Sequence, residues 1–99
     1  MRNGQKANAS HLVVYLNRDE SNTQARFGFV VGKLVGGAVQ RNLVKRRLRS
    51  AIRSRLEAFS IDTSMVIRGL PGLAEITWDE LNAELDLAIA GASKTRIKL

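Results

Sequence analysis

The chain has 99 residues, one proline, no cysteine and 44% hydrophobic residues, which predicts one compact domain without a disulfide scaffold or a thiolate metal site. Sixteen lysines and arginines against nine aspartates and glutamates give a net charge of +7, which favours a polyanionic partner such as nucleic acid. A single histidine, His11, cannot form a zinc site or a histidine-based triad alone, and no apolar run approaches the roughly 20 residues that cross a bilayer. We therefore expect a cytoplasmic protein with no membrane contact.

The charges are segregated along the chain. Residues 1–56 carry twelve basic and two acidic groups, residues 57–91 carry one and seven, and residues 92–99 carry three basic groups. No acidic residue interrupts the nine basic ones between Glu20 and Glu57. Because a solvated helix face usually mixes both signs in pairs four residues apart, this unmixed block favours nucleic-acid binding over the alternative of a solvated surface.

Two β-rich segments come first, His11 to Leu16 and Arg26 to Val31, separated by a polar turn. We expect them to pair as a hairpin. In the first segment, alternation puts three apolar side chains on the core face, namely Leu12, Val14 and Leu16. Tyr15 falls on the opposite face, which we expect to be open.

A glycine-rich connection, residues 32–37, leads into a helix predicted from Ala38 to about Phe59, where the apolar period changes from two to 3.6. The inward stripe of this helix consists of Val44, Leu48, Ala51 and Ile52. The side away from the stripe carries Asn42, Arg46, Arg49 and Arg53, with Lys45 beside them. The helix is therefore predicted to be apolar inward and cationic outward.

The last third of the chain predicts a strand, a helix and a tail. Ile61 to Arg68 is a short buried-strand candidate. Thr77 and Glu80 have the spacing of a capping box, and apolar residues then recur at helical spacing. Residues 91–99 are expected to form a basic tail with little to order them.

Several motifs give weak or negative signals for chemistry. Phe27 and Phe29 make a poor match to the aromatic strand of an RNA-recognition motif and point to one side, so we favour a core role. The glycines of residues 32–37 fit neither a phosphate-binding P-loop nor a dinucleotide fingerprint. The acidic residues after Thr77 are better explained by the helix N-terminus than by a metal site. His11 could stack on a base, contact phosphate or be an ordinary strand residue.

The stretch from Arg26 to Arg49, RFGFVVGKLVGGAVQRNLVKRRLR, closely resembles the signature of the bacterial ribonuclease P protein subunit, RxGFVVSKKVG followed by AVxRNRxKRRLR. This chain differs at Gly32, Leu34 and Leu43, the last two replacing usual cations. Members usually begin with an amphipathic helix that carries paired phenylalanines. Nothing before His11 matches it, so we expect the chain to be N-terminally short.

The resemblance implies a single domain over residues 1–99 with an α+β fold. The expected architecture is a two-layer sandwich similar to ribosomal protein S5 domain 2, with a mixed sheet and a left-handed βαβ crossover, an exception to the usual right hand. The implied function is that of the protein subunit of a ribonucleoprotein endonuclease. Its RNA subunit cleaves the 5′ leader from precursor tRNA with Mg²⁺, while the protein binds the catalytic RNA and the leader.

The same resemblance implies the candidate site residues. We expect contacts with the catalytic RNA from Arg41, Asn42, Lys45, Arg46 and Arg49, which match the family's basic helix. Arg53 is added to them because helical periodicity, and not the resemblance, places it on the same cationic side. Lys33 matches a lysine of the SKKVG element and is expected near the cleavage region. Tyr15 matches an aromatic on the open sheet face, where the single-stranded leader can stack. No catalytic residue, metal ligand or protein-bound cofactor is expected, and no obligate protein partner.

Two other functions stay open from the residues alone. One is a non-enzymatic RNA-binding module, such as a ribosome-associated protein with the same sandwich. The other is a structural domain whose charged face is incidental. Co-purification with a discrete RNA that confers precursor-tRNA cleavage would separate the first from a ribonuclease P subunit.

Overall fold

A computed structural model of the protein describes residues 5–97, with side chains through residue 93. Four strands and two α-helices follow one another along the chain. They are β1 (Gln5–Asn8), β2 (Leu12–Arg18), β3 (Arg26–Val30), α1 (Ala38–Arg53), β4 (Thr63–Gly69) and α2 (Trp78–Ile97). No helix within these residues is long and apolar enough to cross a membrane.

The four strands form one mixed sheet in the order β1-β2-β4-β3. β2 pairs antiparallel with β1 and β4, and β3 pairs parallel with β4. The predicted hairpin between β2 and β3 is therefore wrong, because β4 lies between them. Residues 19–25 make this possible, since they form a connection much longer than a two-residue hairpin turn and can pass the end of the inserted strand.

Both helices cover the same face of the sheet, which confirms the predicted α+β sandwich. One buried cluster joins Leu12 and Val14 of β2 to Met65 and Ile67 of β4 and to apolar residues of both helices. The predicted inward stripe of α1 is buried as expected, and so are Leu81 and Leu85 of α2. Phe27 and Phe29 pack against this cluster, so their predicted core role is confirmed. The connection from β3 to its parallel neighbour β4 runs through α1, and its left hand stays a prediction.

Helix α1 ends at Arg53, six residues before the predicted end. The Ser54 hydroxyl donates to the Ala51 carbonyl at 2.8 Å, and the Arg55 guanidinium donates to the same oxygen at 2.7 Å. These side chains satisfy a carbonyl that a continuing helix would have bonded to its own backbone. The chain then makes a short 3-10 turn, Leu56–Ala58.

Helix α2 begins as predicted. The Glu80 backbone N–H donates to the Thr77 hydroxyl at 3.1 Å, and the Thr77 N–H donates to the Glu80 carboxylate at 2.8 Å, which is a reciprocal capping box. The helix continues to Ile97, so residues 91–97 are helical and the predicted tail is wrong there. Ala92 is fully buried in the core and gives this extension a packing partner. Residues 98 and 99 lie outside the described residues.

The connection between β4 and α2 requires a glycine. Gly72 has φ of +97°, in the left-handed region, and a Cβ there would meet the His11 ring at 2.8 Å. The Leu70 N–H donates to the His11 carbonyl at 2.9 Å, so this turn closes against the start of β2.

Candidate nucleic-acid interface

The outward face of α1 carries exposed cations. Asn42, Arg46, Arg49 and Arg53 are all exposed, on the side opposite the buried Val44, Leu48, Ala51 and Ile52. Within the described residues, none of the three arginines forms an ion pair with an acidic group. The first turn of α1 also has no acidic residue. We call Asn42, Arg46, Arg49 and Arg53 the cationic face of α1.

Two further predicted residues border this face. Arg41 and Lys45 are half-buried rather than exposed. The Arg41 Nε atom is buried and has no hydrogen-bond partner in the described part of the chain. The structure therefore brings six of the eight predicted site residues together on α1, four fully at the surface and two at its margin.

Two other arginines of the basic stretch between Glu20 and Glu57 form hydrogen bonds within the fold. Arg47 donates to the Ile76 carbonyl at 3.0 Å and ties α1 to the segment before α2. Arg55 donates to the Asp86 carboxylate at 2.7 Å. Arg49 differs from both, because its guanidinium carbon lies 5.9 Å from the ring centroid of Phe29 while the side chain stays exposed. That cation–π contact orients Arg49 at the β3 edge without neutralising it.

Tyr15 lies on the uncovered face of the sheet, away from both helices. Its cross-strand partners are Lys6 on β1 and Val66 on β4, and both Tyr15 and Val66 are about a third exposed. The Lys6 ammonium lies 5.9 Å from the centroid of the Tyr15 ring. A shallow, mostly apolar cavity of about 380 Å³ surrounds these side chains. The arrangement offers a ring for stacking and an adjacent cation for a phosphate.

Lys33 is exposed just after β3 and lines a cleft of about 320 Å³. The same cleft is lined by Arg68 and Val30, which extend from the open face of the sheet. Leu34 stands beside Lys33 and is 84% exposed, so the leucine that replaces a usual family cation is not used in the core. Leu43, the other replacement, is half-buried and does not belong to the core cluster.

Sequence reasoning missed Lys6 and Arg68 as candidate site residues. Lys6 belongs to β1, whose residues QKAN carry no strand signal, so its position beside Tyr15 was not predictable. Arg68 could have been found from alternation along β4, because it lies two residues from exposed Val66 and so shares its face. Val13, also on this face, is buried between its cross-strand partners Asn8 and Arg68.

The acidic side chains serve the fold. Glu84 accepts from the His11 backbone N–H at 2.7 Å, and its second oxygen lies 2.6 Å from His11 Nδ1, so His11 has a structural partner. The hydrogen bond from Arg55 lowers the pKa of Asp86 below its ordinary value. The hydrogen bond from the Ser60 hydroxyl, and to a smaller extent Arg18, likewise lowers the pKa of Asp62 below its ordinary value. No group of three histidine or acidic residues converges within the described part of the chain.

Comparison with known proteins agrees with this geometry. The family model described as Ribonuclease P matches residues 1–93. The ribonuclease P protein component of Clavibacter michiganensis subsp. michiganensis is 38% identical over 95 residues, covering 96% of this chain and 84% of that protein. The component of Acidothermus cellulolyticus is 36% identical over 97 residues, covering 97% and 81%. A solved ribonuclease P protein mutant of Staphylococcus aureus with defective mRNA degradation activity superimposes with a TM-score of 0.83, covering 93% of this chain and 77% of that one at 21% identity.

Proposed function

Because this chain belongs to the ribonuclease P protein family, and is therefore a protein subunit of that endoribonuclease, we propose that its two exposed surfaces bind two different RNAs. The cationic face of α1 binds the catalytic RNA. The open face of the sheet binds the 5′ leader of precursor tRNA. The complex works in the cytoplasm, where precursor tRNA is processed.

The observation that carries this division is the set of arginines on α1 that no acidic group neutralises. Arg46, Arg49 and Arg53 are exposed and form no ion pair within the described residues. Helix α2 carries acidic residues, but these do not pair with the three arginines. Arginine forks match phosphate oxygens in bidentate geometry, and each phosphate contact releases condensed counterions. This surface suits the backbone of a folded RNA and reads no base sequence.

The open sheet suits a single strand instead. Tyr15 and Val66 provide an apolar floor, and Lys6 lies beside the ring. Stacking of a base on an aromatic ring contributes about 1 to 3 kcal/mol and tolerates any base. The leader is the single-stranded part of precursor tRNA and is absent from mature tRNA, so binding at this face distinguishes the precursor from the mature form. The Lys6 ammonium would then shift from the ring toward the leader phosphate.

We further propose that catalysis and the Mg²⁺ ions reside in the RNA subunit. Among the described residues, the carboxylates of Glu84, Asp62 and Asp86 are engaged by His11, Arg18 and Arg55, and no three acidic or histidine side chains converge as ligands for an ion. Mg²⁺ prefers oxygen ligands in octahedral geometry, and a folded RNA supplies phosphate oxygens and bound waters for it. The protein's contribution is binding and positioning.

The test is the change Tyr15→Ala in the enzyme reconstituted with a bacterial ribonuclease P RNA. Affinity for precursor tRNA should fall about tenfold, the loss of one stacked base, while affinity for mature tRNA is unchanged. Tyr15→Phe retains the ring and serves as the matched control. Equal losses for the two tRNAs would place the leader elsewhere.

A further inference from the structure

Residue 28, in the middle of β3, is not required to be glycine by backbone conformation or by packing within the described part of the chain. Its φ lies outside the left-handed region, and a Cβ built on it would meet Val66 Cγ2 at 3.7 Å, an ordinary contact. Gly72 and Gly69 differ, because the first has positive φ and a Cβ on the second would come within 3.0 Å of Leu73. Glycine inside a strand destabilises it relative to alanine. A strand position that carries this destabilisation without a steric reason indicates that another molecule comes close to its backbone.

The position of Gly28 on the sheet identifies what approaches it. Gly28 pairs with Val66, Val66 pairs with Tyr15, and Tyr15 pairs with Lys6, so the four residues form one row across all four strands. The row lies on the open face. Its surface descends from the Tyr15 ring over the smaller Val66 side chain to bare backbone at Gly28. We call Lys6, Tyr15, Val66 and Gly28 the open-face row.

Exposed cations stand on either side of this row. Arg68 follows Val66 by two residues on β4, and Arg26 precedes Gly28 by two on β3, so both share the face of the row. Both are exposed. Hydrogen bonds from Ser21, and to a smaller extent the charge of nearby Arg26, lower the pKa of Asp19. Arg68 forms no ion pair with any described residue. Arg68 is diagonal to Tyr15 across the β2–β4 pair, a separation that long side chains bridge.

We propose that a single-stranded RNA crosses the sheet along the open-face row, with one nucleotide stacked on Tyr15, the next seated directly on the backbone of Gly28 and the phosphate between them paired with Arg68. This rests on the proposed binding of the precursor-tRNA leader to the same face. Gly28 is a positioning residue in this scheme, because the missing side chain leaves the depth that the second nucleotide occupies. Any side chain at residue 28 would fill this space and hold the RNA strand farther from Arg68.

The steric part is tested with Gly28→Ala and Gly28→Val in the reconstituted enzyme. Thermal stability should stay the same or rise, because both residues favour a strand over glycine. Affinity for precursor tRNA should fall in the order alanine then valine, reaching about tenfold for valine, while affinity for mature tRNA is unchanged. A precursor with a single-nucleotide leader, too short to span the row, should show no loss.

The ionic part is tested with Arg68→Ala against Arg68→Gln, which keeps a hydrogen-bonding side chain without the charge. Both should weaken precursor binding at low salt and converge with the unmodified protein as salt increases. Binding of the catalytic RNA should not change, since that surface is α1.

The outcomes separate this inference from the proposed function. If Tyr15→Ala selectively weakens precursor binding while Gly28→Val does not, the leader uses the sheet but not this row, and the inference is overturned alone. If Gly28→Val lowers the melting temperature and all RNA binding together, the glycine is structural and the inference is again overturned. If Tyr15→Ala has no selective effect either, the proposed leader site itself fails.

Discussion

Arginines that are close neighbours in the sequence differ in whether they are exposed or hydrogen-bonded within the fold. Arg46 and Arg47 are neighbours in α1, yet Arg46 is exposed and Arg47 donates to the Ile76 carbonyl. Arg53 and Arg55 differ in the same way, because Arg55 bonds to the carbonyls of Ala51 and Asn82 as well as to Asp86. Which arginines are available to RNA therefore depends on single steps of 100° around the helix and on where the helix ends.

The Arg55–Asp86 pair gives a prediction about pH. Its hydrogen bond lowers the pKa of Asp86 in the folded state, so its stabilisation is complete above the ordinary aspartate pKa of about 4 and is lost as the pH falls through the lowered value. Asp86→Asn should therefore lower the melting temperature at pH 7, and the gap to the unmodified protein should close below about pH 4. Thermal unfolding at several pH values measures this, with Glu20→Gln, at an exposed acidic residue in a turn, as the control. A gap that does not change with pH would contradict it.

Leu43 is the residue at which this chain departs from the family's Arg-Asn-Arg core. It is half-buried, borders the cationic face of α1 and lies outside the core cluster. We predict that Leu43→Arg adds a phosphate-pairing group and tightens binding to the catalytic RNA by up to about 1 kcal/mol, more at low salt than at high salt. RNA affinity at two salt concentrations, measured beside thermal stability, decides it. A destabilised variant without tighter binding would assign Leu43 to packing instead.

A secondary-structure element was predictable from the sequence where a single local pattern determines it. The buried stripe and cationic face of α1 follow from a 3.6-residue period, and the start of α2 follows from its capping box. Two features depend on which segments pair in the folded sheet and not on a local pattern. Polar β1 becomes a strand only because β2 offers its edge, and β3 pairs with β4 rather than with β2. The site divides likewise, since periodicity located the cationic face of α1, whereas the environment of Tyr15 required the strand order.

The cationic face of α1 predicts a measurable salt dependence. Binding to the catalytic RNA should weaken steeply with salt, and Arg46→Ala or Arg49→Ala should each reduce the slope of log K against log salt by about one per lost phosphate contact. Arg18→Ala is the matched control, because Arg18 belongs to β2 and pairs with Asp62 at 2.8 Å. An unchanged slope in both α1 variants would place the catalytic RNA on another surface.

At the scale of the whole molecule, the fold separates the two proposed RNA surfaces by one domain thickness. The helix layer and the open sheet face are opposite sides of a sandwich whose Cα extents are 38 × 26 × 24 Å. The acidic residues at the start of α2 give the molecule a negative region beside its positive one. A charge distribution of this kind orients a polyanion as it approaches. On the proposed function, this arrangement would hold the catalytic RNA and the leader in a fixed relation while the chemistry takes place in the RNA.

That division of labour gives the last prediction, that the protein without RNA does not cleave precursor tRNA at any Mg²⁺ concentration. Metal-assisted hydrolysis needs ligands that hold the ion and a group that orients the attacking water. The described residues bring no three acidic or histidine side chains together, and several carboxylates are already paired, as Glu84 is with His11 and Asp86 with Arg55. Nuclease-treated protein should therefore leave the 5′ leader intact, and adding a bacterial ribonuclease P RNA should restore cleavage at the leader junction. Junction-specific, Mg²⁺-dependent cleavage by the RNA-free protein would overturn this prediction, because it would require an ion site formed by the protein alone.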